Sequence, residues 1–151
     1  MSDSPCIGIC STTYGDFVCR GCKRFAHEIT GWNRYTDAQR EVVWERLSTL
    51  LMQSIQDHLA LDRRAARSAA SAHEILAGIK AEASRDARQD MVACLQRMGL
   101  APHLLNRSID SLPGLLAAIE NAFLMRSEAY YEHSFSTSLD AAVLRREEDI
   151  S

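Results

Sequence analysis

Residues 36–60 read TDAQREVVWERLSTLLMQSIQDHLA, and this stretch decides the fold class. Its apolar residues Trp44, Leu47, Leu51, Ile55 and Leu59 recur every three to four positions, with Val43 and Leu50 beside them. An α-helix turns once in 3.6 residues, so this spacing lays one apolar stripe along a helix. Thr36 stands just ahead of the stripe and Gln39 follows three residues later. That is the reciprocal arrangement of a capping box, in which each side chain satisfies the other's backbone N–H. The pattern predicts an amphipathic helix over about 37–60. Its stripe must be buried against something, and the rest of the chain supplies candidates.

A second stripe runs through Ala72, Leu76, Ile79 and Ala83 and continues through Ala87, Met91, Cys94 and Met98. It predicts one long helix over 68–98, or two separated near 84, with Gly99 as the residue just past the end. Residues 99–111 read as a connection containing Pro102, with a short turn near His103–Asn106. Pro113 suits the opening turn of a third helix. Leu112, Leu115, Leu116, Ile119 and Phe123 share one face of it, giving a helix over about 112–132. Ser138 is placed to cap a last helix through Leu139, Val143 and Leu144. The stripes together describe a three- to four-helix bundle spanning 36–151.

Composition agrees with this class. The chain has 151 residues, 46% hydrophobic and 25% charged, with Gly 7 and Pro 3, which favours helices over strands. The net charge of -3 argues against a dedicated nucleic-acid binder. The arginines at 63, 64 and 67, with Arg85 and Arg88, read as a solvated helix face, with contact to RNA, DNA or another acidic partner as the alternative. No window approaches the roughly 18 consecutive apolar residues of a spanning helix, so no membrane is expected. The opening MSDSPCIGIC lacks the basic and apolar regions of a secretory signal, which predicts a cytoplasmic location.

The cysteines are the unusual feature. Four of the five lie among the first 22 residues, spaced Cys6-x3-Cys10-x8-Cys19-x2-Cys22. Thiols stay reduced in the cytoplasm, so ligation is the stronger reading than crosslinking. Two residues between Cys19 and Cys22 let both sulfurs turn to one point, and Gly21 relieves the crowding. Cys6 and Cys10 supply two more. Four thiolates give the closed tetrahedral site of structural zinc; four cysteines serve equally for one [4Fe–4S] or [2Fe–2S] cluster. Arg20, Lys23 and Arg24 would offset the site's negative charge. Residues 1–35 thus read as an irregular metal-binding module packed on an otherwise all-α bundle. His27 is a spare ligand candidate. Cys94 sits on a helix stripe and reads as a small buried hydrophobe.

Ser4-Pro5-Cys6-Ile7-Gly8-Ile9-Cys10, then Cys19-Arg20-Gly21-Cys22 with Arg24, then Glu28-Ile29 and Trp32, resemble the small bacterial domain-of-unknown-function family 1289. The resemblance covers about residues 4–50. Members are often labelled predicted iron–sulfur proteins, so it implies Cys6, Cys10, Cys19 and Cys22 as shared ligands. Arg24, Glu28, Ile29 and Trp32 would be companion positions. The family usually has Thr where this chain has Phe25, a departure that bears on packing. Read from the residues, Phe25, Ile29 and Trp32 recur at helical spacing and would seat the module on the bundle, while Glu28 would pair with Arg24 one turn earlier.

No other motif carries chemistry. There is no His-Glu-x-x-His, no Glu-x-x-His pair of a di-iron bundle, no phosphate loop and no nucleophile elbow. The sequence therefore predicts a non-enzymatic protein with a structural zinc site and a helical surface for an unidentified protein partner. The alternative is an iron–sulfur protein in electron transfer, redox sensing or cluster handling.

Overall fold

The computed structural model describes residues 4–8, 10–61, 71–86, 88–102 and 109–150, with backbone alone at 71 and from 135 onward. The expected turn at His103–Asn106 and the arginines at 63, 64 and 67 lie outside the described residues.

Helix α1 spans Ala26–Gly31 and helix α2 spans Asp37–Gln56. The predicted capping box forms: Thr36 N donates to Gln39 Oε1 at 2.8 Å and Gln39 N donates to Thr36 Oγ1 at 3.2 Å. The expected reach to residue 60 does not hold. The chain leaves the helix at Asp57, and Leu59–Leu61 becomes strand β1.

Helix α3, Ser71–Arg85, and helix α4, Met91–Arg97, follow as two separate helices. Asp90 starts α4 by accepting from Val92 N and Ala93 N. Gly99, at φ +76, ends it in the left-handed region that glycine enters freely. Leu100–Pro102 forms strand β2, antiparallel to β1, with Leu59 opposite Pro102 and Leu61 opposite Leu100. The all-α expectation is therefore corrected to a mostly helical fold with a small two-stranded antiparallel sheet. Three-residue strands give no period for a sequence to display, and Leu59 fitted the helical stripe equally well.

Helix α5 runs unbroken from Leu112 to Ile150. Ser111 caps it, its Oγ accepting from Gly114 N at 3.2 Å. Ser138 lies inside α5, so the two expected C-terminal helices are one.

Helices α2, α3 and α5 pack on one another around the core. Leu47, Leu51 and Ile55 of α2 meet Ile79 of α3, Leu95 of α4 and Leu112, Leu115 and Ile119 of α5, all fully buried. Cys94 is buried among them, as its stripe predicts. Each such aliphatic side chain contributes about 1.5–3 kcal/mol through burial. Among the described residues, no helix is long and apolar enough to cross a membrane.

Candidate functional site

The N-terminal segment is irregular because its backbone is organised by turns. A 3-10 turn at Ser11–Tyr14 closes on Gly15 at φ +98. Val18 and Phe25 then form an isolated antiparallel bridge. Ala26 N donates to Phe17 O at 2.8 Å, Cys19 N to Arg24 O at 2.9 Å and Lys23 N to Cys19 O at 2.8 Å. These bonds fold Cys19–Arg24 into a tight loop. Lys23 occupies the left-handed region at φ +65, a strained place for a residue with a side chain.

The thiols differ in their local surroundings, although Cys19 and Cys22 share one loop and their side chains interact. Cys6 is exposed, and its Sγ accepts from Gly8 N at 3.4 Å. Cys10 Sγ lies 2.8 Å from Thr12 Oγ1. Cys22 is buried and accepts from Arg24 Nε at 3.4 Å. Cys19 is buried in the loop itself.

Among the described residues, no group of three or more His, Cys, Asp or Glu side chains is placed to hold a metal ion. The expectation of a four-thiolate site at Cys6, Cys10, Cys19 and Cys22 is thereby overturned, and with it both the structural zinc and the iron–sulfur cluster. Among the described residues, the irregular module has no metal-centred arrangement. Spacing brought the thiols near in sequence, but local donors engage Cys6, Cys10 and Cys22, while Cys19 and Cys22 interact with each other. The ligand set implied by the family label therefore does not fit this geometry. His27 is exposed and lies beside the Phe25 ring.

The thiols nevertheless differ chemically. Burial opposes ionisation of Cys19, but backbone N–H groups of Cys22, Ser11 and Gly21 and the Cys22 side chain outweigh it, bringing the thiol down to about 7. Burial pushes the Cys22 thiol up, against the pull of Arg24. The Thr12 hydroxyl draws Cys10 down.

The segment is fastened to the bundle by charges and rings. Arg46 of α2 holds Glu28 in a bidentate pair, both bonds 2.6 Å, while its guanidinium lies 4.0 Å from the Phe25 ring centroid. Glu28 also accepts from Phe25 N at 2.8 Å, closing α1. The expected Glu28–Arg24 pair is thus replaced. Arg24 sits over Trp32 instead, 4.8 Å from the ring. Trp32 and Phe25 are buried as predicted, and Trp32 joins the main core.

Lys23 is only 3% exposed and pairs with Glu120 of α5, which Lys80 of α3 also meets at 3.1 Å. Burial would raise the Glu120 carboxyl, but Lys23 and Lys80 together hold it below its ordinary value. This polar clamp was not legible in the sequence. A lysine beside two cysteines gave no sign of a partner 97 positions away.

Where segment and helix meet, aromatic rings gather. Phe17 stacks on Tyr131 with centroids 5.8 Å apart and planes 10° from parallel. Phe25 meets Tyr131 edge-on at 5.0 Å and Tyr130 at 6.2 Å. Beside them opens a cleft of about 260 Å³, walled by Gly15, Asp16, Phe17 and Val18 on one side and by Glu128, Tyr131 and Glu132 of α5 on the other.

No curated protein and no solved structure matches this chain. A family match does exist, and it runs from the cysteine segment through most of α2, so that it takes in both Glu28 and Arg46 but neither Lys80 nor Glu120. Residues 4–51 match the family described as "Protein of unknown function (DUF1289)", and the helical remainder to which they are fastened lies outside that match.

Proposed function

We propose that this chain is a non-enzymatic protein-interaction module whose docking face is the seam between the DUF1289 segment and helix α5. The observation that carries this reading is the pattern of exposed aromatics. Phe17 is 66% exposed and Tyr130 47%, and both belong to the ring cluster formed with Phe25 and Tyr131. Large apolar side chains gathered on one face mark interaction sites more often than scattered ones do. Aromatic residues are also enriched at protein interfaces.

The scale of the cleft supports a docking role over a catalytic one. Its 260 Å³ falls below the roughly 300–1,000 Å³ of small-molecule and cofactor sites. In this reading residues 1–35 act as the fastened segment and 36–151 as the supporting bundle. The protein works in the cytoplasm, where its thiols remain reduced.

Site-specific photo-crosslinking in cells tests the reading. A photoreactive phenylalanine analogue at position 17 or 130 should give one discrete adduct. Val42 is 65% exposed but lies outside the cleft, and the analogue there should not give that adduct. Absence of adducts from positions 17 and 130, or the same pattern from all three, would sink the proposal.

A further inference from the structure

The cleft has a charge pattern that selects its occupant. Asp16 stands on the segment side, and Glu128 and Glu132 stand on the helix side. Glu128 and Glu132 are four residues apart on α5, where like charges face each other and oppose. Both are exposed, and neither has an ion-pair partner among the described residues. Other carboxylates on the same seam are matched: Glu28 by Arg46, and Glu120 by Lys23 and Lys80. Asp16 has Arg20 at 3.4 Å, a solvent-exposed contact. The helix side of the rim, Glu128 and Glu132, is therefore an uncompensated negative site beside two stacked rings.

We infer that the cleft beside the stacked Phe17 and Tyr131 rings receives an arginine side chain of a basic peptide segment in a partner protein. The inference rests on the docking role proposed above and deepens it. Three features converge on arginine. The exposed face of Phe17 offers a π surface for a cation. Glu128 and Glu132 offer carboxylates flanking Tyr131, and a planar guanidinium is able to stack on a ring while bonding a carboxylate through two N–H groups. The cleft volume suits one long side chain. A lysine would supply charge without the fork or the stacking. The same rim repels nucleic acid.

The full chain is titrated with a labelled Gly-Leu-Arg-Leu-Gly peptide by fluorescence anisotropy, beside otherwise identical peptides carrying lysine or citrulline at the centre. Citrulline keeps the shape of arginine and removes its charge. The arginine peptide should bind, lysine should weaken binding several-fold, and citrulline should weaken it about tenfold or more, ~1.4 kcal/mol. Raised salt should weaken the arginine complex. The double variant Glu128→Gln/Glu132→Gln changes only exposed side chains; it should retain the wild-type melting curve and lose about tenfold in affinity. Equal binding of citrulline, undiminished binding by the double variant, or no binding of the arginine peptide overturns the inference. Photo-crosslinking from position 17 separates the two readings. Adducts that persist undiminished in the double variant leave the docking face standing with a different occupant. Absence of both the adduct and arginine-peptide binding in the unsubstituted chain removes the face itself.

Discussion

Substituting Glu28→Gln should destabilise the protein by about 3–5 kcal/mol, because it breaks a buried ion pair on one side only. The side chains of Arg46 and Glu28 are 13% and 6% exposed, so water does little to replace the lost partner. Arg46 Nε is already buried without an acceptor, which leaves the guanidinium dependent on Glu28. Glutamine retains an oxygen for Phe25 N, so the closure of α1 is largely preserved and the loss falls on the pair. For a chain of this size each 1 kcal/mol moves the melting temperature by about 2–4 °C. The expected drop is then roughly 6–20 °C, read by thermal and urea unfolding followed by circular dichroism. Arg46→Met should be similarly costly, since it leaves a buried carboxylate and removes the cation over Phe25. The double variant should cost less than the sum, with a coupling of about 2–3 kcal/mol. A single-variant loss below about 1 kcal/mol, or additivity within about 0.5 kcal/mol, would refute the claim that this pair fastens the segment.

Three further outcomes are expected. Glu120 ionises more readily in the folded protein than at its ordinary value of 4.5, so its contribution is complete above that pH and is lost as the pH falls through the lower folded value; acid unfolding of Glu120→Gln should show a flatter limb below pH 4.5, and an unchanged limb would contradict the clamp. Ultraviolet thiolate absorbance should show a step near pH 7 that disappears in Cys19→Ser, and a Cys19 step at or above the ordinary 9.0 would show that its backbone donors do not act as described. Thr36→Ala should lower stability by about 1 kcal/mol through loss of the α2 cap, measured by urea unfolding, and no loss would mean that the cap is not formed in solution.

The helices were legible because burial imposes a period. Leu47, Leu51 and Ile55 had to share a face, and they fill the core as their spacing indicates. Caps were legible for the same local reason: Thr36 and Gln39 satisfy each other within four residues. The break between α3 and α4 was within reach through Asp90, whose side chain caps the second helix. The unbroken α5 was not, because Ser138 looks like a cap whether or not the preceding helix has ended. The strand pair was hidden by its shortness. It depends on Leu59–Leu61 finding Leu100–Pro102, a match that no local pattern announces.

The cysteines mark the boundary between the two kinds of information. Spacing along the chain constrains how near two sulfurs can come, but turn geometry and competing donors decide where each points. Gly8 N, the Thr12 hydroxyl and Arg24 Nε occupy three of the thiols separately, and the expected common centre does not form. By itself, then, the sequence determined the helical class, the core stripes, the first cap and the DUF1289 match of the N-terminal segment, since each rests on patterns within short stretches of chain. Tertiary structure alone decided that Lys23 reaches Glu120, that Glu28 chooses Arg46 over Arg24, and that Phe17 and Tyr131 frame an acidic cleft. These contacts join residues far apart in the chain, and only the packing of α2 and α5 brings them within range of charge and ring interactions.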